Sequence, residues 1–227
     1  MSTPTRHGRT REARAAARAA AARQAARRRL LVRATIGIVV VGAILFGIFR
    51  AGRHTGVMGG GGRFQVGQPA TGADAPAIQL ASTAGGQFDL ASQQGKTVLL
   101  YFQEGVSCQP CWDQIRDIEA GEARFKALGI DEVVSITGNP LTDLRQKVSD
   151  EKLRTPVLAD PDLAVSKTYH ANSFGMMGTG ADGHTFVVVG PDGKIRWRAD
   201  YGGAPNYTMY VPVDQLVADL RAGLGAK

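Results

Sequence analysis

Residues 98–112 read VLLYFQEGVSCQPCW, an apolar run that ends in a polar, glycine-containing turn and is followed by two cysteines. An unbroken run of apolar, strand-forming residues is typical of a β-strand that is buried on both faces of its sheet. Pro110 lies between the cysteines and suits the first turn of a helix, where its missing N–H group would have no partner. The stretch therefore predicts a strand, a short turn and a helix that starts at Cys108.

Cys108 and Cys111 are the only cysteines in the sequence. Their spacing at a helix start lets a disulfide form and break reversibly, and the helix dipole favours a thiolate by lowering the pKa of the first cysteine. A purely structural disulfide is less favoured, because so short a loop constrains little chain. A zinc site is also less favoured, because it needs a second pair of ligands and no histidine is near in sequence. The predicted site is a redox-active dithiol with no metal and no cofactor.

The formal charge of +7 is unevenly distributed along the chain. Residues 1–53 contain twelve arginines and one acidic residue, a net charge of +11, whereas residues 54–227 contain fifteen basic and nineteen acidic residues, a net charge of −4. Surfaces that bind nucleic acid carry clustered positive charge, so residues 54–227 give no support for such binding. Nucleic-acid binding by the basic N-terminal tail remains an alternative, and the residues that follow the tail favour a membrane role instead.

An apolar segment, LLVRATIGIVVVGAILFGIF, occupies residues 30–49. As a helix it matches a bilayer core of about 30 Å, and Arg33 is close enough to one end to reach the headgroups. The arginines that precede it predict a cytoplasmic N-terminus and an extracytoplasmic C-terminal part. A cleaved signal peptide is the alternative, but no convincing small-x-small cleavage pattern follows directly. We expect a single-pass protein of a bacterial cell membrane.

These patterns divide the chain into four segments. They are an Ala- and Arg-rich cytoplasmic tail (1–29), a transmembrane helix (30–49), a flexible glycine-rich linker (50–64) and a folded domain (65–227). Within the domain, the sequence predicts strands near 75–80, 88–90, 97–102, 130–137, 155–158, 185–189 and 194–200, and helices near 108–128, 141–152, 162–169 and 213–220. This order predicts an α/β fold, in which a mixed β-sheet is flanked by helices.

The order of elements, with Cys-x-x-Cys at the first strand–helix junction, resembles the thioredoxin-like fold. It is most similar to the redoxin branch, the alkyl hydroperoxide reductase and thiol-specific antioxidant (AhpC/TSA) group. The matching pieces are Ala75-Pro76-x-Ile78-x-Leu80, Gly86-x-Phe88-x-Leu90, Cys108-x-Pro110-Cys111, Pro156-Val157-Leu158-x-Asp160 and Pro191-Asp192-Gly193-Lys194-Ile195, within residues 66–222. The resemblance implies a thiol–disulfide oxidoreductase with protein dithiols and disulfides as partners. Cys108, at the helix start, is the expected attacking thiolate, and Cys111 then resolves the mixed disulfide.

Peroxide reduction is the first alternative function. Peroxiredoxins carry a Pro-x-x-x-Thr-x-x-Cys signature; aligned on the strand, Cys111 takes the peroxidatic position, while Cys108 replaces the threonine and Glu104 the proline. The groups that would position a peroxide are therefore absent. Glu104 is instead a candidate catalytic proton acceptor near the resolving cysteine, because a partly buried carboxylate has a raised pKa. Its alternative role is that of an ordinary solvated loop residue.

The substrate-facing residues also depart from the thioredoxin pattern. Thioredoxins usually carry a tryptophan just before the first cysteine, where this chain has Ser107, and here Trp112 follows the second cysteine instead. Gly183 or His184 stands where the family has a cis-proline. We expect Trp112, Gly183 and His184 to bind substrate, with ordinary strand entry as the alternative for His184.

A copper chaperone similar to the Sco proteins is the second alternative. Two thiolates and an imidazole suit Cu(I), thioether sulfur can add to such a site, and Met176-Met177 lies ahead of His184. However, the Sco proteins separate their cysteines by three residues, where this chain has two, and their histidine lies further upstream. Copper binding is therefore the least favoured of the three functions.

Overall fold

The computed structural model describes residues 57–59 and 62–225. The predicted tail (1–29) and the predicted transmembrane helix (30–49) lie outside the described residues. Among the helices that the structure describes, none has both the length and the apolar character needed to cross a membrane.

The described residues form nine strands and five α-helices. The strands are β1 (Val57–Gly59), β2 (Phe64–Val66), β3 (Gln79–Ser82), β4 (Gln87–Asp89), β5 (Val98–Phe102), β6 (Glu132–Thr137), β7 (Val157–Ala159), β8 (Thr185–Val189) and β9 (Ile195–Asp200). The helices are α1 (Gln109–Ala120), α2 (Glu122–Lys126), α3 (Leu141–Glu151), α4 (Ala164–Thr168) and α5 (Val213–Leu224). Short 3-10 helices occupy Leu90–Gln93, Ala171–Ser173 and Gly178–Gly180.

All of these strands join one mixed sheet, in the order β1-β2-β9-β8-β5-β6-β7-β3-β4. The central strand β5 is parallel to β6 and antiparallel to β8, so that Leu100 pairs with Val134 on one side and with Val187 on the other. Every residue of β5 is buried, as its unbroken apolar sequence predicts. The turn that precedes Cys108 therefore follows directly from a fully buried strand at the centre of the sheet.

Two apolar clusters cover the opposite faces of the sheet. On one face, α1, α2, α3 and α5 pack against alternate strand residues that include Leu99 and Tyr101. On the other face, α4 and the segment before β3 pack against residues that include Leu100 and Phe102. The alternation along β5 is the two-residue period of a strand, with successive side chains on opposite faces. The predicted mixed sheet flanked by helices is confirmed.

The helix predicted over 108–128 is interrupted in the structure. α1 ends at Ala120, and α2 begins at Glu122 after Gly121. Gly121 has a low helix propensity, and a Cβ at this position would lie 3.2 Å from Val213 Cγ1. The first residue of α5 therefore approaches the chain closely at the same glycine that weakens the helix.

The described part of the predicted linker (50–64) contains strand residues. Val57–Gly59 forms β1, which pairs antiparallel with β2, and β2 pairs with β9 through Gln65 and Asp200. The Phe64 ring packs against Trp197 and Tyr201, with centroid distances of 5.9 and 5.1 Å. Glycine-rich composition predicts flexibility for the whole linker. In the structure, strand pairing holds Val57–Gly59, and the aromatic contacts hold Phe64.

Candidate active site

One glycine and one asparagine fix the turn between β5 and α1. Gly105 has a φ of +113°, and a Cβ there would lie 1.8 Å from Asn139 Oδ1, so no side chain fits. Asn139 Oδ1 accepts a hydrogen bond from the Val106 N–H at 3.0 Å. The Gly105 carbonyl accepts two more, from the Cys108 N–H at 3.0 Å and from the Trp112 indole N–H at 3.0 Å. These contacts hold Cys108 at the start of the helix.

Cys108 is the N-cap residue of α1 and forms a disulfide with Cys111. The Cα atoms of the two cysteines are 5.4 Å apart. Pro110 lies in the first turn of the helix, as its sequence position predicts. The two cysteines are thus bonded to each other at the N-terminus of a helix.

The two cysteines differ in exposure. Cys108 is 8% exposed, whereas Cys111 is 0% exposed. The expectation that Cys108 is the more exposed cysteine is confirmed. Cys108 is therefore the cysteine nearer to solvent, and Cys111 is fully covered.

A cavity of about 490 Å³ opens beside Cys108. The side chains that define its chemistry are Glu104, Ser107, Cys108, Met176, Met177 and Met209. Met176 and Met177 are 54% and 70% exposed, which is unusual for large apolar side chains. Among the described residues that line the cavity, Glu104 is the one charged side chain. The cavity thus combines the accessible cysteine, a thioether surface and one carboxyl group.

Glu104 is half-buried at the edge of this cavity. Burial raises its pKa above the ordinary value of a glutamate, although a hydrogen bond from the Met176 N–H to Oε1, 3.3 Å long, opposes the shift. The sequence placed Glu104 near the resolving Cys111. In the structure it lines the cavity together with Cys108, and Cys111 does not line that cavity.

On the inner side, near Cys111, three buried polar side chains form a hydrogen-bonded chain. Tyr101 Oη lies 2.9 Å from His184 Nδ1 and 3.5 Å from the Cys111 carbonyl oxygen. His184 Nε2 lies 3.3 Å from Gln114 Oε1, which also accepts a hydrogen bond from the Val211 N–H at 2.7 Å. Because Gln114 Oε1 can only accept, Nε2 of His184 carries the proton and Nδ1 accepts from the Tyr101 hydroxyl. Burial lowers the pKa of His184 to about 3, so the ring is neutral at pH 7.

Trp112, Gly183 and His184, which the sequence predicts to bind substrate, are all buried in the structure. Trp112 turns into the core and uses its indole N–H on the Gly105 carbonyl. A Cβ at Gly183 would lie 1.7 Å from the Phe174 carbonyl oxygen, so this glycine allows two backbone segments to cross closely. His184 is 0% exposed and is engaged at both ring nitrogens. All three residues support the site from within.

The position of His184 does not favour the alternative function of copper binding. Within the described residues, no group of three or more His, Cys, Asp or Glu side chains could hold a metal ion. His184 belongs to the buried chain beside Tyr101, whereas the cavity on the Cys108 side contains the methionines. The structure therefore separates the imidazole from the thioethers that a Sco-like site would combine.

Sequence reasoning missed Gln114 and Met209. Gln114 follows Cys111 by three residues and so lies on the buried face of an amphipathic helix, which is a readable signal for a buried polar contact. Met209 lies in the loop before α5, far from the cysteines in sequence, and no pattern links it to them. Only the fold brings it to the cavity.

The model of the AhpC/TSA family matches residues 71–198. The chain belongs to the AhpC/TSA family. Its members are thiol-based oxidoreductases, and this protein is therefore an enzyme of that broad class. A search of curated proteins found no match.

Several solved structures share the fold of this AhpC/TSA protein. Peroxidoxin BcpB from Mycobacterium tuberculosis has 18% sequence identity and a TM-score of 0.55, over 67% of this chain and 97% of that one. The Plasmodium vivax 2-Cys peroxiredoxin has 17% identity and a TM-score of 0.56, over 67% and 81% of the two chains. Enterococcus faecalis AhpC has 16% identity and a TM-score of 0.56, over 67% and 90%. At these identities the likeness establishes the fold alone, and the predicted thioredoxin-like architecture is confirmed.

Proposed function

We propose that the protein is a membrane-anchored, extracytoplasmic thiol–disulfide oxidoreductase that exchanges disulfides with protein partners through Cys108 and Cys111. One observation carries the proposal: the disulfide at the start of α1 presents one cysteine to a cavity and keeps the other fully buried. Two-step disulfide exchange needs one sulfur that a partner can reach and a second that acts only within the protein.

In the oxidised protein, a partner thiolate attacks the sulfur of Cys108. A bond forms between the partner and Cys108, the Cys108–Cys111 bond breaks, and its electron pair leaves on Cys111. A second thiolate of the partner then attacks the partner's own sulfur in the mixed disulfide and releases Cys108. The partner dithiol loses two electrons and two protons, which the two cysteines receive. In the reverse direction, Cys108 attacks a partner disulfide and Cys111 resolves the intermediate.

Glu104 is the residue that we assign to proton exchange in this sequence. Its carboxyl group lines the cavity that Cys108 opens into, and burial raises its pKa toward the range where it can both accept and donate a proton. Glu104 and Cys108 both line this cavity, so we assign the proton exchange to the Cys108 thiol.

Peroxide reduction by the same cysteines is the second candidate function. Membership of the AhpC/TSA family and the peroxiredoxin neighbours favour it. Against it, Cys111 takes the peroxidatic position in the alignment on β5, yet it is 0% exposed, and Cys108 and Glu104 replace the usual threonine and proline. A peroxide would have to reach a sulfur that the fold covers, so we place disulfide exchange first.

The deciding experiment compares two oxidants on the reduced full-length protein in detergent. One is a peptide disulfide and the other is hydrogen peroxide, and the second-order rate constant of each is measured by quenched mass spectrometry. A chain in which both cysteines are replaced by serine gives the background. We expect the peptide disulfide to react faster. A faster reaction with peroxide would make the protein a peroxidase.

The anchored and extracytoplasmic location is supported by the apolar segment 30–49 and by the arginines that precede it. Disulfide exchange also belongs in compartments outside the reducing cytoplasm. The test is a reporter enzyme that is active only outside the cytoplasm, fused after Lys227. Activity of this fusion is the expected result, and activity confined to a cytoplasmic reporter would contradict the location.

A further inference from the structure

Three methionines surround the accessible cysteine. Met176 and Met177 come from the segment before β8, next to the 3-10 helix Gly178–Gly180, and Met209 comes from the loop before α5. Methionine is unbranched and polarisable, and it adapts its shape to different apolar partners. Methionine-rich surfaces are therefore suited to binding many sequences rather than one. They line the same cavity as Cys108, so a partner that enters the cavity contacts them.

The charge of the cavity restricts which partners it favours. Glu104 is its one charged side chain among the described residues, and no lysine or arginine of the described chain lines it. A carboxylate in a partly desolvated cavity repels an incoming anion. Apolar walls with this single negative charge favour a neutral or cationic apolar segment and disfavour an acidic one.

We propose that this cavity, defined by Met176, Met177, Met209 and Glu104, recognises an extended, apolar and non-acidic segment of a partner polypeptide and discriminates against small anionic thiols such as glutathione. The inference rests on the proposed disulfide exchange and names its substrate class. A volume of about 490 Å³ falls in the range of pockets that hold several side-chain-sized groups. Binding of apolar residues there places the partner's cysteine beside the Cys108 sulfur.

The test uses the oxidised full-length protein and three single-thiol probes. They are a short neutral peptide of Leu, Val and Ser around one cysteine, the same peptide with two aspartates replacing serines, and glutathione. Loss of the Cys108–Cys111 disulfide in excess probe is followed by acid quenching, alkylation of the released thiols and mass spectrometry, because Cys111 would otherwise reverse the mixed disulfide. Each rate is corrected for the thiolate fraction of the probe. We expect the neutral peptide to react about tenfold faster than the other two probes. Glutathione lacks the apolar side chains that the cavity would contact, and the acidic peptide keeps them but is repelled by Glu104.

Two variants show whether the methionines cause this preference. Met177→Gln makes the surface polar at a similar size, whereas Met177→Leu keeps it apolar and serves as the matched control. The ratio of the neutral-peptide rate to the glutathione rate is expected to fall toward one in Met177→Gln and to persist in Met177→Leu. Equal rates for all three probes in the unaltered protein, or a ratio that Met177→Gln leaves unchanged, would overturn the inference. Dithiothreitol distinguishes a failure of this substrate preference from a failure of disulfide exchange. If dithiothreitol also left the Cys108–Cys111 disulfide intact, the proposed function itself would be overturned.

Discussion

The two sides of the Cys108–Cys111 disulfide are built in opposite ways. On the outer side, Cys108 faces a cavity with exposed methionines, a half-buried carboxyl group and nearby glycines. On the inner side, the Cys111 carbonyl lies against the Tyr101 hydroxyl, and His184 and Gln114 extend this contact through buried hydrogen bonds. The outer side consists of adaptable apolar groups, and the inner side consists of fixed polar groups.

This difference shows how two cysteines in one short motif can have sulfurs with different surroundings and different roles. A buried hydrogen-bonded network is rigid, because its bonded polar groups would lose a partner if they moved. Loops with few buried contacts open at low free-energy cost. The inner network therefore holds the resolving cysteine in place, while the outer surface adjusts to the partner that Cys108 attacks.

The largest expected effect is on the reactivity of the two thiols. In the reduced protein, we expect Cys108 to react with iodoacetamide about a hundredfold faster than Cys111, because thiol reactivity follows exposure and thiolate character. Peptide mass spectrometry with isotope-coded reagent measures both rates in one sample. Equal rates would show that the inner side does not protect Cys111 and would remove the distinction between the two sides.

Stability should depend on the inner side and hardly on the outer side. His184→Ala removes a fully buried ring and leaves Tyr101 and Gln114 short of a partner, so we expect the free energy of unfolding to fall by about 2–4 kcal/mol. Met177→Ala, at a 70% exposed position, is the matched control and should change it by less than about 0.5 kcal/mol. Urea denaturation of both variants measures the two values. Similar losses would mean that the outer methionines are structural.

Asp182 is a buried residue that follows Met176 and Met177 in the chain. We expect it to make the free energy of unfolding depend on pH. Asp182 is 0% exposed, and its Oδ2 accepts a hydrogen bond from Ser166 Oγ at 2.9 Å. Burial, the largest cause, and the nearby Asp160 raise its pKa from 3.8 to about 8. The folded state therefore retains a proton that the unfolded chain loses. The stabilisation is complete below about pH 4 and is lost as the pH rises toward 8.

Asp182→Asn removes this dependence, because the amide does not ionise. Between pH 5 and 8 we expect the variant to lose less stability than the unaltered protein, by at most about 1.4 kcal/mol per pH unit. Asp74→Asn, whose side chain is 86% exposed, is the matched control. Urea denaturation at several pH values gives the comparison, and parallel pH profiles for Asp182→Asn and the unaltered protein would refute it.

The smallest expected effect concerns Glu104. When ionised, its carboxylate lies at the same cavity as Cys108 and disfavours a second negative charge there. Glu104→Gln should lower the pH midpoint of Cys108 alkylation by about half a unit, a size typical of a partly screened like charge. Glu132→Gln, on β6 away from the cavity, is the control. An unchanged midpoint would exclude electrostatic coupling between Glu104 and Cys108.

The strand-to-helix part of the site could be predicted from the sequence, because its determinants are local. The apolar residues of β5, Pro110 and the two cysteines each act through near neighbours in the chain. The same local rules predicted a mixed sheet and the greater exposure of Cys108, and both are confirmed.

The remaining features depend on contacts between distant parts of the chain. His184 was expected at the substrate because of its place before β8, but strand pairing carries it beneath Tyr101. Val57–Gly59 forms a strand because it pairs with β2, which in turn pairs with the edge of β9. The glycine content of this segment does not predict that pairing. Met209 reaches the cavity because the loop before α5 is joined to α1 by the hydrogen bond from the Val211 N–H to Gln114 Oε1.

The attacking role of Cys108 and the resolving role of Cys111 are tested most directly by mass spectrometry of two variants. Cys111→Ser and Cys108→Ser are each reduced, then incubated with a peptide disulfide, with hydrogen peroxide or with buffer. We expect Cys111→Ser to accumulate a mixed disulfide on Cys108, because the resolving step is missing, and Cys108→Ser to trap nothing. Trapping on Cys111 in Cys108→Ser, or a sulfenic acid formed there by peroxide, would contradict this account and assign the attacking role to the inner cysteine.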